Sequence, residues 1–176
     1  MEVHIRQEES SDYTKVYQLI KEAFESMPLS DGSEQDLVVR LRQSAAFIPQ
    51  LSLVATLNET IVGHILLTRL HIRHGTTLNT SLALAPVSVA PEYQGKGIGG
   101  KLIEKAHEIA KGLGFESIIL IGHENYYPRF GYIQLNNFDI ELPFEVPPQN
   151  AMVIELKKDA LKNVSGEVVY DPAFFE

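Results

Sequence analysis

Val87-Ser88-Val89-Ala90-Pro91-Glu92-Tyr93-Gln94-Gly95-Lys96-Gly97-Ile98-Gly99-Gly100-Lys101 is the stretch that decides the fold. An apolar strand pattern ends at Val89, and Pro91, which lacks an N–H, resists its continuation as a paired strand. Glycines then crowd the chain just ahead of Leu102, Ile103, Ala106, Ile109 and Ala110, whose spacing is helical. Gly112 and Gly114 close that helix, and Ile118 to Ile121 reads as the next strand. Successive backbone N–H groups in a glycine turn that opens a helix form a positive concavity, which suits a diphosphate and needs no metal. Two other patterns overlap it. Gly95, Gly97 and Gly100 spell G-x-G-x-x-G with Glu124 downstream as an acidic ribose ligand, but Ala90 to Gln94 separate the strand from the first glycine and too little chain follows to complete a dinucleotide-binding sheet. Gly95 to Lys101 has the spacing of a P-loop, but Leu102 stands where a magnesium-binding Ser or Thr is required. On the residues alone, a tight connection and a diphosphate cradle are equally good readings of this turn.

Working outward, a strand is expected around Val3 to Arg6. Ser10-Ser11-Asp12 offers N-caps to a helix with Val16, Leu19, Ile20, Ala23 and Phe24 on one face. A loop over 27–32 leads to a second helix starting at Ser33, with Leu37, Val38 and Leu41 together. Leu51 to Leu57 and Ile61 to Leu70 flank Asn58-Glu59-Thr60 as a hairpin, and Leu82 to Val89 follows a polar turn over 75–81. Past Leu135, alternation at Phe138, Ile140 and Leu142, then Met152 to Leu156, predicts added strands over 136–176 rather than a linker. The 176 residues are read as a single domain, 1–176.

Composition narrows the function classes. A net charge of -8 works against nucleic acid and anionic membrane surfaces as partners. MEVHIRQEES lacks the apolar run of a secretion signal, which sets the expectation of a cytoplasmic address. With no cysteine, disulfides, thiolate metal sites and cysteine nucleophiles are excluded. His71 and His74 have no third ligand at a recognised spacing, so no metal is expected, and Ser88 lacks a nucleophile-elbow context.

Gln94-x-x-Gly97-x-Gly99 behind Val87-Ser88-Val89-Ala90-Pro91, followed by Tyr126-Tyr127-Pro128-Arg129-Phe130-Gly131-Tyr132, resembles the GNAT family of acetyl-CoA-dependent N-acetyltransferases. Glu34 with Leu37-Val38-x-x-Leu41-Arg42, and Leu161-x-x-Val164-Ser165-Gly166-x-Val168-x-Tyr170, extend the similarity to the YhbS-like subgroup of predicted acetyltransferases over nearly the whole chain. Gly122-His123-Glu124-Asn125 departs from that subgroup's G-D-P-like turn. The resemblance implies an α/β (α+β) fold: a mixed, mostly antiparallel sheet with helices on both faces, splayed around an acyl-CoA groove.

It also implies a site. Acetyl-CoA, the cosubstrate, would lay its pyrophosphate on Gln94, Gly95, Lys96, Gly97, Ile98, Gly99 and Gly100, and pair its pantetheine arm with the main chain of Val87, Ser88 and Val89. A strand N–H near Val89 would hold the oxyanion while a primary amine, a small cationic amine or a peptide amino group, attacks directly. Tyr127, at the start of the helix before Gly131, matches the family's proton donor, with Tyr126 as the neighbouring choice. Glu34 is the first choice for positioning the amine or removing its proton, ahead of Glu124 and His123. A different class of function is a module that senses acyl-CoA without turnover, for which the unusual Gly122 to Asn125 turn leaves room. Monomer and homodimer are equally compatible with the sequence.

Overall fold

The protein is described by a computed structural model covering residues 2–28 and 30–176. Met1, and Leu29 within the loop expected over 27–32, lie outside the described residues.

The strand β1 (His4–Gln7) leads through a 3-10 turn to α1 (Tyr13–Phe24) and α2 (Glu34–Arg42). Next come the strands β2 (Ser52–Leu57), β3 (Thr60–His74) and β4 (Thr77–Val89), then α3 (Ile98–Gly112) and β5 (Ser117–Ile121). The remaining strands are β6 (Ile133–Gln134), β7 (Ile140–Glu141), β8 (Ala151–Glu155) and β9 (Gly166–Val169). Nine strands form one sheet in the order β1-β2-β3-β4-β5-β8-β6, with β9 paired to both β3 and β7. Pairing is antiparallel except at β4–β5 and β7–β9.

The two faces are covered by different helices because the strands alternate apolar side chains toward both. On one face Ile98, Leu102, Ile103, Ala106 and Ala110 of α3 pack against Leu53, Ile65 and Leu67. On the other, Val16, Leu19 and Ile20 of α1 and Val38 and Leu41 of α2 meet Val54 and Leu66. A third cluster, around Leu70, Ile72, Leu135, Ile140 and Val168, is completed by the C-terminal segment.

Three local expectations are revised. The polar stretch over 75–81 is mostly strand: His74 pairs with Thr77, so only Gly75 and Thr76 turn, and a hairpin ladder overrides side-chain polarity. The expected C-terminal strands are more than an addition at an edge, because β8 runs between β5 and β6. Asp12 does not cap α1; its carboxylate accepts from the Arg6 guanidinium at 2.7 and 2.9 Å and from the Glu9 N–H at 2.8 Å.

The feature that positions the site lies in β4. Ile65 pairs with Val87 but Leu67 pairs with Leu84, so β4 carries one extra residue around Ala85–Pro86. A bulge is one of the few places in a sheet that tolerates proline, and it redirects the strand that carries it. Toward β5, register is kept only at Leu82↔Ile118 and Ala83↔Ile119. Beyond Ala83 and Ile119 the two strands part.

Candidate active site

The parting of β4 from β5 exposes backbone. The Ala90 N–H donates to Val62 O at 2.9 Å, so Ala90 faces β3. By alternation Ser88 also turns its backbone toward β3, while Val87 and Val89 turn theirs into the gap. The Val89 carbonyl is engaged from that side by the Gln94 side-chain amide, at 3.0 Å, which ties the glycine turn to the end of the strand. Ser88 lies opposite His64, which is itself opposite Val54, so the Ser88 side chain points to the α1/α2 layer, where its hydroxyl is buried without a partner.

At the mouth of the gap α3 begins with no side-chain cap. Its N-cap Gly97 sits at φ +82°, a conformation costly for any residue with a Cβ. The Lys101 N–H reaches back to Gly97 O at 3.1 Å, leaving the N–H groups of Ile98, Gly99 and Gly100 without an intrahelical acceptor. These donors and the helix dipole form a ready anion seat. Lys96 lies near it, its ammonium 5.7 Å from the centroid of the Tyr93 ring.

Two tyrosines close this side. A Cβ on Gly99 would lie 2.8 Å from Tyr126 Oη, so the missing side chain makes room for that hydroxyl beside the helix start. Tyr127 instead lays its ring over Gly122, directly after β5, where a Cβ would collide with Tyr127 Cε2. The rings of Tyr126 and Tyr127 meet edge-on at 5.0 Å, and Tyr127 meets Tyr132 at 5.9 Å. Burial, and secondarily Tyr126, raises the Tyr127 hydroxyl above the ordinary tyrosine range, so it keeps its proton at neutral pH. The residues before Gly131 form a 3-10 turn, Tyr127–Phe130, rather than the expected helix, because Pro128 fixes its start and Gly131 at φ +101° ends it.

The sequence reading missed the pair behind Tyr127. The Tyr132 hydroxyl and His107 Nε2 lie 2.9 Å apart, and burial pushes His107 down to about 4, so its ring is neutral. The helical spacing of His107 from Ile103 was the available signal, but nothing in the sequence joined it to Tyr132. Also unforeseen is a buried ionic group under α2: Arg42 Nη2 donates to Glu8 Oε2 at 2.6 Å, and the Ser52 hydroxyl donates to Glu8 Oε1 at 2.8 Å. His64 Nε2 stands 3.3 Å from Ser52 Oγ in the same group, and burial pushes His64 down to about 4.

Through the gap, on the α2 face, is a cavity of about 250 Å3. Its walls are Ala83–Ala85 of β4, Ile119–Ile121 of β5, Leu37 of α2, and the rings of Phe144, Tyr170, Phe174 and Phe175. Glu34 opens α2, one turn before Leu37, and both its oxygens accept from the Ser30 hydroxyl, at 2.6 and 2.9 Å. His123 and Glu124 are exposed, and the His123 Nδ1 is occupied by the Asn125 N–H at 3.1 Å. His71 and His74 are an odd number of residues apart on β3 and so point to opposite faces.

The sheet is forked, with an uncapped glycine helix start on one face and a small cavity on the other. A model of the acetyltransferase (GNAT) family matches residues 13–132. The chain belongs to the GNAT acetyltransferase family. Among its GNAT relatives, the uncharacterized N-acetyltransferase YjhQ of Escherichia coli (strain K12) is 40% identical over 101 residues, 57% of this chain and 56% of that one. The matched stretch spans a little over half the length of the curated relatives. Among solved structures, a GNAT family acetyltransferase from Brucella melitensis, in complex with acetyl-CoA, superposes with a TM-score of 0.81 at 31% identity over 98% of both chains. YhbS from Escherichia coli, in complex with CoA, superposes with a TM-score of 0.88 at 25% identity over 99% of this chain and 92% of that one.

Proposed function

We propose that the chain transfers the acetyl group of acetyl-CoA directly to a primary amine. The observation that carries this reading is the fork itself: register lost beyond Ala83 and Ile119, with the backbone of Val87 and the N–H of Val89 turned into the gap ahead of the uncapped start of α3. Those residues fit the cosubstrate. Ile98, Gly99 and Gly100 offer N–H groups to a pyrophosphate, Gly97 and Gly95 keep the approach free of side chains, and Val87 and Val89 offer an extended ladder to an amide-containing arm. Lys96 adds charge near the phosphates, and Gln94 acts by fixing the turn to Val89.

The chemistry asked of the protein is modest. The amine nitrogen bonds to the thioester carbonyl carbon, the carbon–sulfur bond breaks, and the amine loses a proton while the departing thiolate gains one. The Val89 N–H, in the water-poor gap, stabilises charge on the carbonyl oxygen. Tyr127, held protonated beside Gly122 just past the end of β5, donates to the thiolate. Its place beside Gly122 supports it over Tyr126, which stands at the helix start instead. Glu34, one turn before the cavity residue Leu37 on α2, attracts and orients the incoming ammonium.

Thermal shift tests the reading first. Acetyl-CoA at a hundredfold its dissociation constant should stabilise the fold by about 2.7 kcal/mol, roughly 5–10 °C in Tm for a chain of this size, while NAD leaves Tm unchanged. Amine-dependent release of CoA, followed with a thiol reagent, tests turnover, and a chain without cysteine adds no thiol background. NAD shifting Tm where acetyl-CoA does not would overturn the proposal.

A further inference from the structure

The cavity on the α2 face bears on which amine is taken, a question that rests on the acetyl-transfer reading. It lies at the fork: Ala83 and Ile119, the last pair before the strands part, are among its walls, together with Leu84, Ala85, Leu120 and Ile121 just beyond them. A group lodged there sits beside the carbonyl that the fork would present.

Its lining is one-sided in chemistry. Among the described residues that line it no side chain carries a charge, and the Tyr170 hydroxyl is the one side-chain polar group. Burial pushes that hydroxyl up to about 12, so it stays neutral. A second ammonium or a carboxylate placed here would lose its hydration and find no partner, which is costly. The far wall is aromatic and ordered by its own contacts: Phe144 stacks on Tyr170 at 5.8 Å with 18° between planes, and Phe174 meets Tyr170 at 5.0 Å. Phe144 and Phe175 nevertheless keep 39% and 63% of their surface exposed beside this cavity. Phe175 meets Phe144 at 6.4 Å and Tyr170 at 6.1 Å, and these contacts still leave apolar ring surface open at the edge of the cleft. A cavity of about 150 Å3 holds benzene, so 250 Å3 has room for one ring and a short arm, and not for a long polar chain.

We infer that the acceptor is a primary amine bearing a single ring-sized apolar group, aryl or branched alkyl, on a short arm, with that group housed between Leu37 and the rings of Phe144, Tyr170 and Phe175. The nitrogen then lies at the fork, with Glu34, one turn before Leu37 on α2, to draw in its ammonium form. The apolar side group does the selecting; the charge contributes to approach. This narrows the acceptor from cationic amines in general, since a diamine must bury its second charge.

The test is a comparison of kcat/KM, with acetyl-CoA saturating, for 2-phenylethylamine, 3-methylbutylamine, 1,4-diaminobutane and ethanolamine. A short peptide with an N-terminal phenylalanine presents the same ring, so its rate against free 2-phenylethylamine tells a peptide source from a free amine. The ring-bearing and branched amines should exceed the diamine and ethanolamine by at least about tenfold, the scale on which apolar pockets discriminate. Phe175→Ala, at an exposed position that the fold tolerates, should lower the ratio of 2-phenylethylamine to ethanolamine by roughly tenfold, chiefly through KM; Phe144→Ala should act the same way. Diaminobutane or ethanolamine equalling the aryl amine, or a ratio unmoved in both variants, overturns the inference and leaves acetyl transfer standing. CoA release with no amine at all overturns the transfer reading itself.

Discussion

The two ends of the fork are built by opposite strategies. The α3 end works through backbone: the N–H groups of Ile98 to Gly100, the main chain of Val87 and Val89, and glycines whose contribution is what they lack. The α2 end works through side chains drawn from α2, β4, β5 and the C-terminal segment, as far apart in sequence as Leu37 and Phe175. A backbone site must keep its spacing, because residues contiguous in the chain form it. A side-chain site is free to change residue by residue without disturbing the sheet.

The largest expected effect tests the junction of the two ends. Tyr127→Phe should lower kcat by roughly 100-fold or more while the acetyl-CoA Tm shift stays nearly whole, since only a proton donor is removed. An unchanged rate passes the role to Tyr126 or water. Next, Gly97→Val places a β-branched residue at φ +82°, and should weaken acetyl-CoA binding by at least about tenfold, read as loss of its Tm shift at fixed concentration. Because the position is open to solvent, with nothing within 4 Å of an added Cβ, the helix itself should survive, and circular dichroism checks this. Retention of the full shift would break the backbone half of the comparison.

On the side-chain half, Glu34→Gln should raise the acceptor KM a few-fold and reduce the salt dependence of the rate, with kcat and the pH profile unchanged. A lower kcat with a displaced pH profile would instead make Glu34 the base. The smallest effect concerns stability and not catalysis. His64 and His107 are both depressed from 6.5 to about 4 on folding, His64 by its burial despite Glu8 nearby. The unfolded chain therefore binds more protons between those values. Their contribution to stability is complete above pH 6.5 and is lost as pH falls toward 4. Tm should drop by several degrees across that window, and His64→Gln, if folded, should flatten the drop.

These contrasts also explain what the sequence disclosed. Glycine spacing at Gly95, Gly97, Gly99 and Gly100, one Gln and a Tyr-Tyr-Pro pair are local, so the resemblance to the GNAT family was legible, and the mixed, mostly antiparallel sheet came with it. The helices α2 and α3 began where Ser33 and Gly97 predicted. Hidden were features that need two distant segments at once: the bulge at Ala85–Pro86, visible only as a register change against Ile65 and Leu67, and the aromatic wall, where Phe144 and Tyr170 meet only after β9 pairs with β3. The Glu8, Arg42, Ser52 and His64 group escaped for the same reason, its members lying on separate elements.

The fork has a consequence for solubility. Past Ala83, β4 is a sheet edge that turns the backbone of Val87 and the N–H of Val89 away from β3, the kind of edge that recruits strands from other molecules and seeds aggregation. Most proteins blunt such an edge with charge or cover it. Here it is turned inward, facing β5 within the sheet, with α3 and the Tyr126–Tyr127 rings packed beside it. The chain thus keeps a sticky edge in the middle of its sheet, and its protection is the distance between two strands. Loosening β8, which holds β5 in place from the far side, should make the protein aggregate well before it loses its helices.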